Sequence, residues 1–376
     1  MAGRRSSRVA ESPVSSNDNP MLWLQPKHFL KLANGKLVLW DYHRHAQFEI
    51  DEAHLRRLIE FSAGAVPRRD EIDPSIVESG VLVDGLKPTQ WKWDWLAHIF
   101  HYGTSHPLPP NESQGEDGAD YARSYLEYCE SLESTMPAIE IRKRPPSEAI
   151  ALPRPSHARF EEASLWSTLM QRRTCRDFNG KAVSVNTLSD LLHCTFADTL
   201  SPDPTVPADI LGYGYRRTSP SAGGLQSIEP YVWAINVEGL SSGLYHYLSR
   251  HHELERMGDC PPMPIGTYLC HQDWANDLAF AVIMTARFDK VWWKYPHSRA
   301  YRPILMEVGH LSQTLNLAIT ALGIHPWLTG YFHDEALRDI LSCEEDVEHP
   351  LLVVGGGNGS GSSIARSLRA VAVEGR

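Results

Sequence analysis

Residues 304–322 constrain the fold of this chain more than any other segment. Ile304, Val308, Leu311, Leu315, Ala318 and Leu322 step by four and three, and Gly323 follows at once. That spacing predicts a helix of about five turns with one apolar stripe, stopped by a glycine. Such a helix needs a broad apolar surface to lie on. The same half of the chain supplies one, because residues 231–237, 244–248, 278–288 and 351–354 read as strands, buried where they run apolar throughout. Further helices are predicted over 165–172 and over 185–196, the latter capped by Ser184 and presenting Leu188, Leu191 and Leu192. Strands interleaved with helices make this half α+β or α/β.

The first half has shorter periods. In KLANGKLVLW, Asn34-Gly35 offers a hairpin turn between apolar runs, and a second short run follows at 47–50. Asp51 is placed to cap a helix carrying Leu55, Leu58 and Ile59, which Gly64 ends. EIDPSIVESGVLVDG then gives a short helix closed by Gly80 and a strand at 81–83. Strand pair, helix, short helix and strand predict a small winged-helix-like module. Beyond it Trp91, Trp93, Trp95 and Phe100 cluster, either as a packed aromatic seam or as a peptide-docking surface. Residues 111–120 are polar and glycine-rich, hence a loop, and 142–155, RKRPPSEAIALPRP, hold too many prolines for a regular element. The predicted organisation is a disordered leader at 1–20, a winged-helix-like peptide-binding domain at 21–141, a linker at 142–158 and a second domain at 159–376.

Composition excludes several functions. At 42% hydrophobic and 22% charged, the 376 residues are those of a globular protein of about two domains. No stretch approaches the roughly 18 apolar residues of a membrane span. The net charge of −10 opposes a sequence-independent grip on nucleic acid. Six scattered cysteines without a C-x-x-C pair indicate neither a zinc knuckle nor a disulfide framework, and fit a reducing cytoplasm. DEAH at 51–54 has no phosphate loop to serve, and Gly355 to Gly359 does not spell a dinucleotide fingerprint. Glu307-x-x-His310 lacks the second helix that a carboxylate-bridged metal pair needs. Asp41, His43 and His45 read as one solvated face of a strand, and no metal is expected.

A set of segments in order survives. QRRTCRDF places Arg172, Arg173 and Arg176 at a helix end; RTSPSAGGLQ at 217–226 is a turn-rich loop; Lys294 and Tyr295 precede the long helix; and GIHPWLTGYF follows it. Each has an ordinary reading, since arginines suit a helix C-terminus and Ser-Pro-Ser suits any turn. Lys294-Tyr295 can equally be a surface lysine beside a packed tyrosine. Together they describe a site for a flat, phosphorylated cofactor, with guanidinium forks for phosphate, close backbone approach at glycines and hydroxyl donors for a polar ring.

The motifs R-R-T-x-R-D-F, R-T-S-P-S-A-G-G, G-L-Y-H-Y at 243–247, and Lys-Tyr followed by E-V-G-H-L-S-Q resemble the streptolysin-type (SagB-type) branch of the nitroreductase-like flavoproteins, over about residues 165–354. The resemblance implies an α+β fold, a central mixed sheet flanked by helices, binding FMN at the interface of a homodimer. It implies that Arg172, Arg173 and Arg176 lie along the FMN phosphate and ribityl chain. Ser219, Pro220, Ser221 and Gly223 would cradle the ring from the opposite protomer, Gln313 would join the cofactor set, and Thr329 and Gly330 would present backbone near flavin N5. Lys294 and Tyr295 match the catalytic pair of the branch. The first half is similar to the front of the peptide-maturation dehydrogenases, whose first domain resembles a winged-helix leader-peptide binder. Two departures stand out: Cys175 replaces the usual serine of the arginine motif, and the C-terminal end lacks a dense basic stretch, for which Arg366 is the substitute.

The implied activity is FMN-dependent dehydrogenation of a ribosomally made precursor peptide, azoline to azole, alongside a cyclodehydratase partner. The chemistry needs a base for the proton on the former α-carbon and a hydride acceptor facing that bond. Alternatives are an NAD(P)H-dependent nitro- or ene-reductase of small molecules on the same fold, and a non-catalytic scaffold that recruits peptide.

Overall fold

The computed structural model describes residues 20–68, 70–86, 91–105, 118–199 and 216–374, and the chain divides into two compact units, 1–106 and 107–376. The leader expected at 1–20 lies, but for Pro20, outside the described residues, as do residues 111–117 of the expected loop.

In the first unit, β1 (Trp23–Leu24) leads to β2 (His28–Ala33), β3 (Lys36–Asp41) and β4 (Ala46–Ile50), the last three forming an antiparallel sheet in sequence order. Asn34 and Gly35 join β2 to β3 with φ of 53° and 74°, the left-handed pair that a tight hairpin demands. Asp51 accepts from the His54 N–H at 2.9 Å and so caps α1 (Glu52–Ser62) at the predicted residue. α2 (Ile72–Glu78) follows, and β5 (Leu82–Val83) returns to pair antiparallel with β1. Leu22, Leu39, Leu58, Phe61, Ile76 and Val81 form the core, within which Arg57 Nε donates to Asp73 at 2.5 Å. α3 (Trp95–Gly103) carries part of the aromatic cluster. Trp91 packs edge-on against Trp93 and His98, yet Trp93 remains 75% exposed, so the cluster is a seam on one side and a surface on the other. Asp41 ends β3 and accepts from the N–H groups of His43 and Arg44, each at 3.0 Å. The expected strand face of Asp41, His43 and His45 is therefore a turn, closed by the side chain of its first residue.

The second unit begins with α4 (Gly118–Leu132), so Gly118 to Asp120 open a helix where a loop was expected. Residues of this helix and of the stretch after it, read as belonging to the N-terminal domain, pack in the second unit: Tyr128 Oη donates to the Lys294 carbonyl at 3.0 Å and the Trp293 indole to Leu132 at 3.1 Å. β6 (Ala149–Ala151) lies inside the stretch read as linker. Its prolines flank the strand, and a sheet edge tolerates them because no inner hydrogen bond is lost. α5 (Ala158–Glu162), α6 (Leu165–Gln171), β7 (Val183–Ser184) and α7 (Val185–Phe196) follow, Ser184 capping α7 through the Thr187 N–H at 3.2 Å.

β8 (Ile228–Ala234), β9 (Val237–Glu238), β10 (Gly243–Leu248), β11 (Glu253–Gly258), α8 (Ile265–Tyr268), β12 (Phe280–Arg287), α9 (Phe288–Lys294), α10 (Tyr301–Ala321), β13 (His325–Thr329), α11 (Asp334–Leu341), β14 (Glu348–Gly357) and α12 (Arg366–Glu374) complete the unit. Seven strands make one sheet in the order β13-β14-β12-β8-β10-β11-β6. Among the described residues every pairing in it is antiparallel, which corrects the mixed sheet expected from the resemblance, and parallel pairing is confined to the separate pair β7–β9. The short returns from β8 to β10 and from β10 to β11 leave no room for a parallel crossover.

All six predicted stripe residues of the long helix are buried, and α10 with α7 covers one face of the sheet while α8 and α11 cover the other. Full burial stabilises each larger stripe residue by about 1.5–3 kcal/mol before conformational entropy is counted. β8 starts three residues ahead of its predicted start at Tyr231, because Glu229, a polar residue that ends an apolar pattern in sequence, is 4% exposed and paired in the interior.

Candidate active site

α9 ends at Lys294, which is 3% exposed, with its Nζ 5.5 Å from the centroid of the Tyr125 ring of α4. Tyr295 keeps a helical bond to the Val291 carbonyl at 2.8 Å, and its side chain hydrogen-bonds Tyr125, which also bonds Cys129. Burial first, and then the bond to Tyr295, push the Tyr125 phenol above its ordinary pKa. No sequence signal tied α4 to this pair, which lies about 170 residues downstream of Tyr125.

The segment 219–227 lies against the same pair. Gly223 has φ 60°, and a Cβ there would stand 2.5 Å from the Tyr295 hydroxyl oxygen, so only glycine admits the tyrosine. The hydroxyls expected to serve the cofactor ring are turned inward instead. Ser219 Oγ pairs with Thr314 Oγ1 at 2.7 Å, and Ser221 Oγ donates to Glu307 Oε2 at 2.7 Å, leaving Pro220 exposed on the crest. Ser227 adds a second bond to Glu307 at 3.0 Å, and the other Glu307 oxygen, Oε1, is buried without a hydrogen bond. Glu307, which opens the E-V-G-H-L-S-Q run and was weighed in sequence only as a metal ligand, is thus the acid from which the loop hangs. Gln313, on α10 beside Thr314, is exposed.

The remaining site residues form a second group. Arg172 caps α6, Arg173 reaches only the Arg172 carbonyl at 2.8 Å, and Arg176 donates to the Ser363 carbonyl at 3.0 Å with its guanidinium 5.7 Å from the Trp274 ring. None of these arginines has a carboxylate partner among the described residues, so their charge is open to an anion. Arg366 is different. It ion-pairs with Asp177 and donates to the Phe178 carbonyl at 2.7 Å, and Arg369 joins the same carboxylate. A bond from Ser360, then Arg369 and Arg366, hold Asp177 down at about 2, so Arg366, expected to substitute for the missing basic stretch, already faces a carboxylate. The Cys175 N–H bonds Pro326 of β13 at 2.9 Å, and β13 ends at Thr329, whose Oγ1 accepts from the Tyr331 N–H at 3.0 Å and from Gln272 at 3.1 Å. Gly330 follows, exposed.

The sequence profile of the nitroreductase family matches residues 169–358, half of the chain. The chain belongs to the nitroreductase family. The match takes in the arginine group, the serine loop, Lys294, Tyr295, Thr329 and Gly330, and leaves Tyr125 and Arg366 outside. This nitroreductase-family protein is 29% identical over 199 residues to a protein of Methanocaldococcus jannaschii named for the same family, covering 52% of this chain and 91% of that protein. It is 24% identical over 373 residues to the trifolitoxin operon protein TfxC of Rhizobium leguminosarum bv. trifolii, covering 90% of this chain and all of that protein. Among solved structures it is similar to the E. coli microcin synthetase McbBCD complex with truncated pro-MccB17 bound, with a TM-score of 0.41 and 23% identity, covering 70% of this chain and 92% of that chain.

The nitroreductase unit also encloses a cluster of charges, of which His246 lies in the G-L-Y-H-Y motif. Lys290 on α9 is fully buried and pairs with Glu229 Oε1 at 2.7 Å; His246 of β10 lies 3.4 Å from Glu229 Oε2 and 3.3 Å from Glu255 Oε2. Burial opposes a charge on His246, but its bonds to Glu229 and Glu255 prevail and raise its pKa to about 9. Among the described residues no group of three or more His, Cys, Asp or Glu is arranged for a metal ion, and no helix is long and apolar enough to cross a membrane.

Proposed function

We propose that this protein is an FMN-dependent dehydrogenase of a ribosomally made peptide, converting an azoline ring to the azole in natural-product maturation. The observation that carries the reading is the Tyr295 hydroxyl, bonded to Tyr125 and seated against Gly223, directly after the buried Lys294. The oxidation removes one hydride and one proton from adjacent ring carbons. Bound FMN supplies the two-electron acceptor. The chain's part is the proton. Because burial raises Tyr125, its phenol stays protonated and can donate to Tyr295, which would take the ring proton as the phenolate. Lys294, with its Nζ 5.5 Å from the Tyr125 ring centroid, would favour negative charge on the Tyr295 oxygen.

The residues fit the cofactor. Arg172, Arg173 and Arg176, with no acid partner, would hold its phosphate; the backbone of Ser219, Pro220, Ser221 and Gly223, with Gln313 nearby on α10, would accompany the ring; and Thr329 and Gly330 would meet its reacting edge. Two copies would complete the site, as in the most common closed assembly.

The relatives support a peptide substrate. The toxin-operon relative aligns with 90% of this chain, and so extends beyond the nitroreductase half. The first unit would bind a leader peptide by strand addition along β2, an edge strand with Leu32 82% exposed. A cyclodehydratase would supply the azoline. A cytoplasmic setting belongs to the same proposal, since all six cysteines are free.

The test is incubation of the flavin-loaded protein with an azoline-containing peptide, read by mass spectrometry as loss of two hydrogens and normalised to flavin absorbance. Turnover only of small nitro compounds or enones with NAD(P)H would overturn the reading in favour of a small-molecule reductase. A protein that takes up no flavin would overturn it altogether.

A further inference from the structure

Gln226 carries a side chain in the left-handed region, φ 49°, which costs free energy unless neighbouring groups hold it. Two groups do. Its N–H bonds Ser221 Oγ at 2.9 Å, and its carbonyl accepts from Lys290 Nζ at 3.1 Å. The same ammonium reaches Glu229 Oε1 at 2.7 Å, and Glu229 is held in turn by His246, itself facing Glu255. Arg217 closes the cluster by donating to the Ile228 carbonyl at 2.8 Å. One buried charge therefore ties α9, the end of the 221–226 loop and β8 together.

Its place in the sequence matters. Lys290 lies one helical turn before Lys294, and both are buried. The loop it anchors carries Gly223, which receives the Tyr295 hydroxyl. The ammonium thus stands on the helix that leads to Tyr295 and bonds the end of the loop that receives it. Stability alone does not require such a pair, because a matched apolar pair in its place is commonly as stable or more so.

We infer that Lys290, held by Glu229, is a positioning residue that fixes the serine–glycine loop against Lys294 and Tyr295. The role in turnover rests on the proposed reading of that pair as the proton acceptor; the mechanical coupling does not.

The experiment uses the full flavin-loaded protein and two variants. Lys290→Met combined with Glu229→Met removes both members of the ion pair and takes the donor from the Gln226 carbonyl, leaving His246 to Glu255. Lys290→Arg keeps the charge and the ion pair but sets a longer planar head under the Gln226 carbonyl. Hydrogen–deuterium exchange reads the coupling without any substrate. In the double variant, amides at 221–227 exchange at least about tenfold faster while those of β8, β12 and β14 keep their protection. Turnover of an azoline peptide per bound flavin falls about 10²-fold, the scale of a misplacement of about 1 Å at a reacting group, with KM within about threefold. In Lys290→Arg the same two readouts move in the same direction, by about tenfold. Wild-type exchange and turnover per flavin in Lys290→Arg would reduce Lys290 to a structural charge, and this variant decides even if the double variant fails to fold. If the wild-type protein oxidises no azoline peptide, the function reading falls while the exchange result still judges the brace.

Discussion

The two halves of the candidate site are built in opposite ways. Around Lys294 and Tyr295 the side chains are buried or half-buried and committed: Ser219 to Thr314, Ser221 and Ser227 to Glu307, and Tyr125 to Tyr295. Among the described residues the charges of Arg173 and Arg176 meet only carbonyls and a ring, and Arg172 has no carboxylate partner. A committed half is organised before any ligand arrives, which is what proton transfer requires; an uncommitted cationic half gains its partner only when an anion binds. Arg366 shows the contrast, since Asp177, the residue after Arg176, has already claimed it.

The largest expected effect would break the comparison outright if it failed. Lys294→Ala and Tyr295→Phe lower turnover per bound flavin by roughly 10²–10⁴-fold, the range for loss of a general base, while flavin retention stays near wild type. Loss of flavin with normal turnover per flavin would make the pair structural. Next, Arg173→Ala should weaken flavin binding about 10–100-fold by removing a charge-assisted bond, with little change in turnover per bound flavin. Arg366→Ala should move retention less than about threefold, and equal effects from the two would erase the distinction between open and claimed arginines.

Smaller, but sharper, is Gly223→Ala. The new Cβ must displace the Tyr295 hydroxyl and sit at φ 60°. Turnover per flavin is expected to fall about tenfold with flavin retained; unchanged turnover would show that Tyr295 does not act from this seat. The least functional effect concerns His246. Its pKa is raised from 6.5 to about 9, so the stability it contributes is fully present below pH 6.5 and is lost as pH rises to about 9. Urea unfolding of the wild type should show a fall on the order of 3 kcal/mol across that window, absent in His246→Gln. A flat profile would mean that the imidazole is neutral in the fold.

What could be read from the sequence was local. The Asn34-Gly35 turn, the Asp51 and Ser184 caps and the stripe of α10 depend on residues within a turn or two of each other, and periodicity and capping chemistry report such neighbours directly. The Lys-Tyr pair, the arginines and the serine loop were visible as residue types, although not as partners. Three readings failed where distant chain decided them. A strand edge tolerated the prolines around Ala149–Ala151, the sheet closed antiparallel throughout, and α4 packed with the second unit.

The sequence by itself determined the Asn34-Gly35 turn, the caps of α1 and α7, the stripe of α10 and which chemical groups the protein has for its site, because backbone propensity and side-chain chemistry are properties of short stretches. The tertiary structure alone decided which of those groups are free. Ser221 meets Glu307 across 86 residues, Arg366 meets Asp177 across 189, and Lys290 meets Gln226 across 64. A hydrogen bond saturates a group regardless of how far along the chain its partner lies, so availability for a ligand is settled only when the chain has folded back on itself.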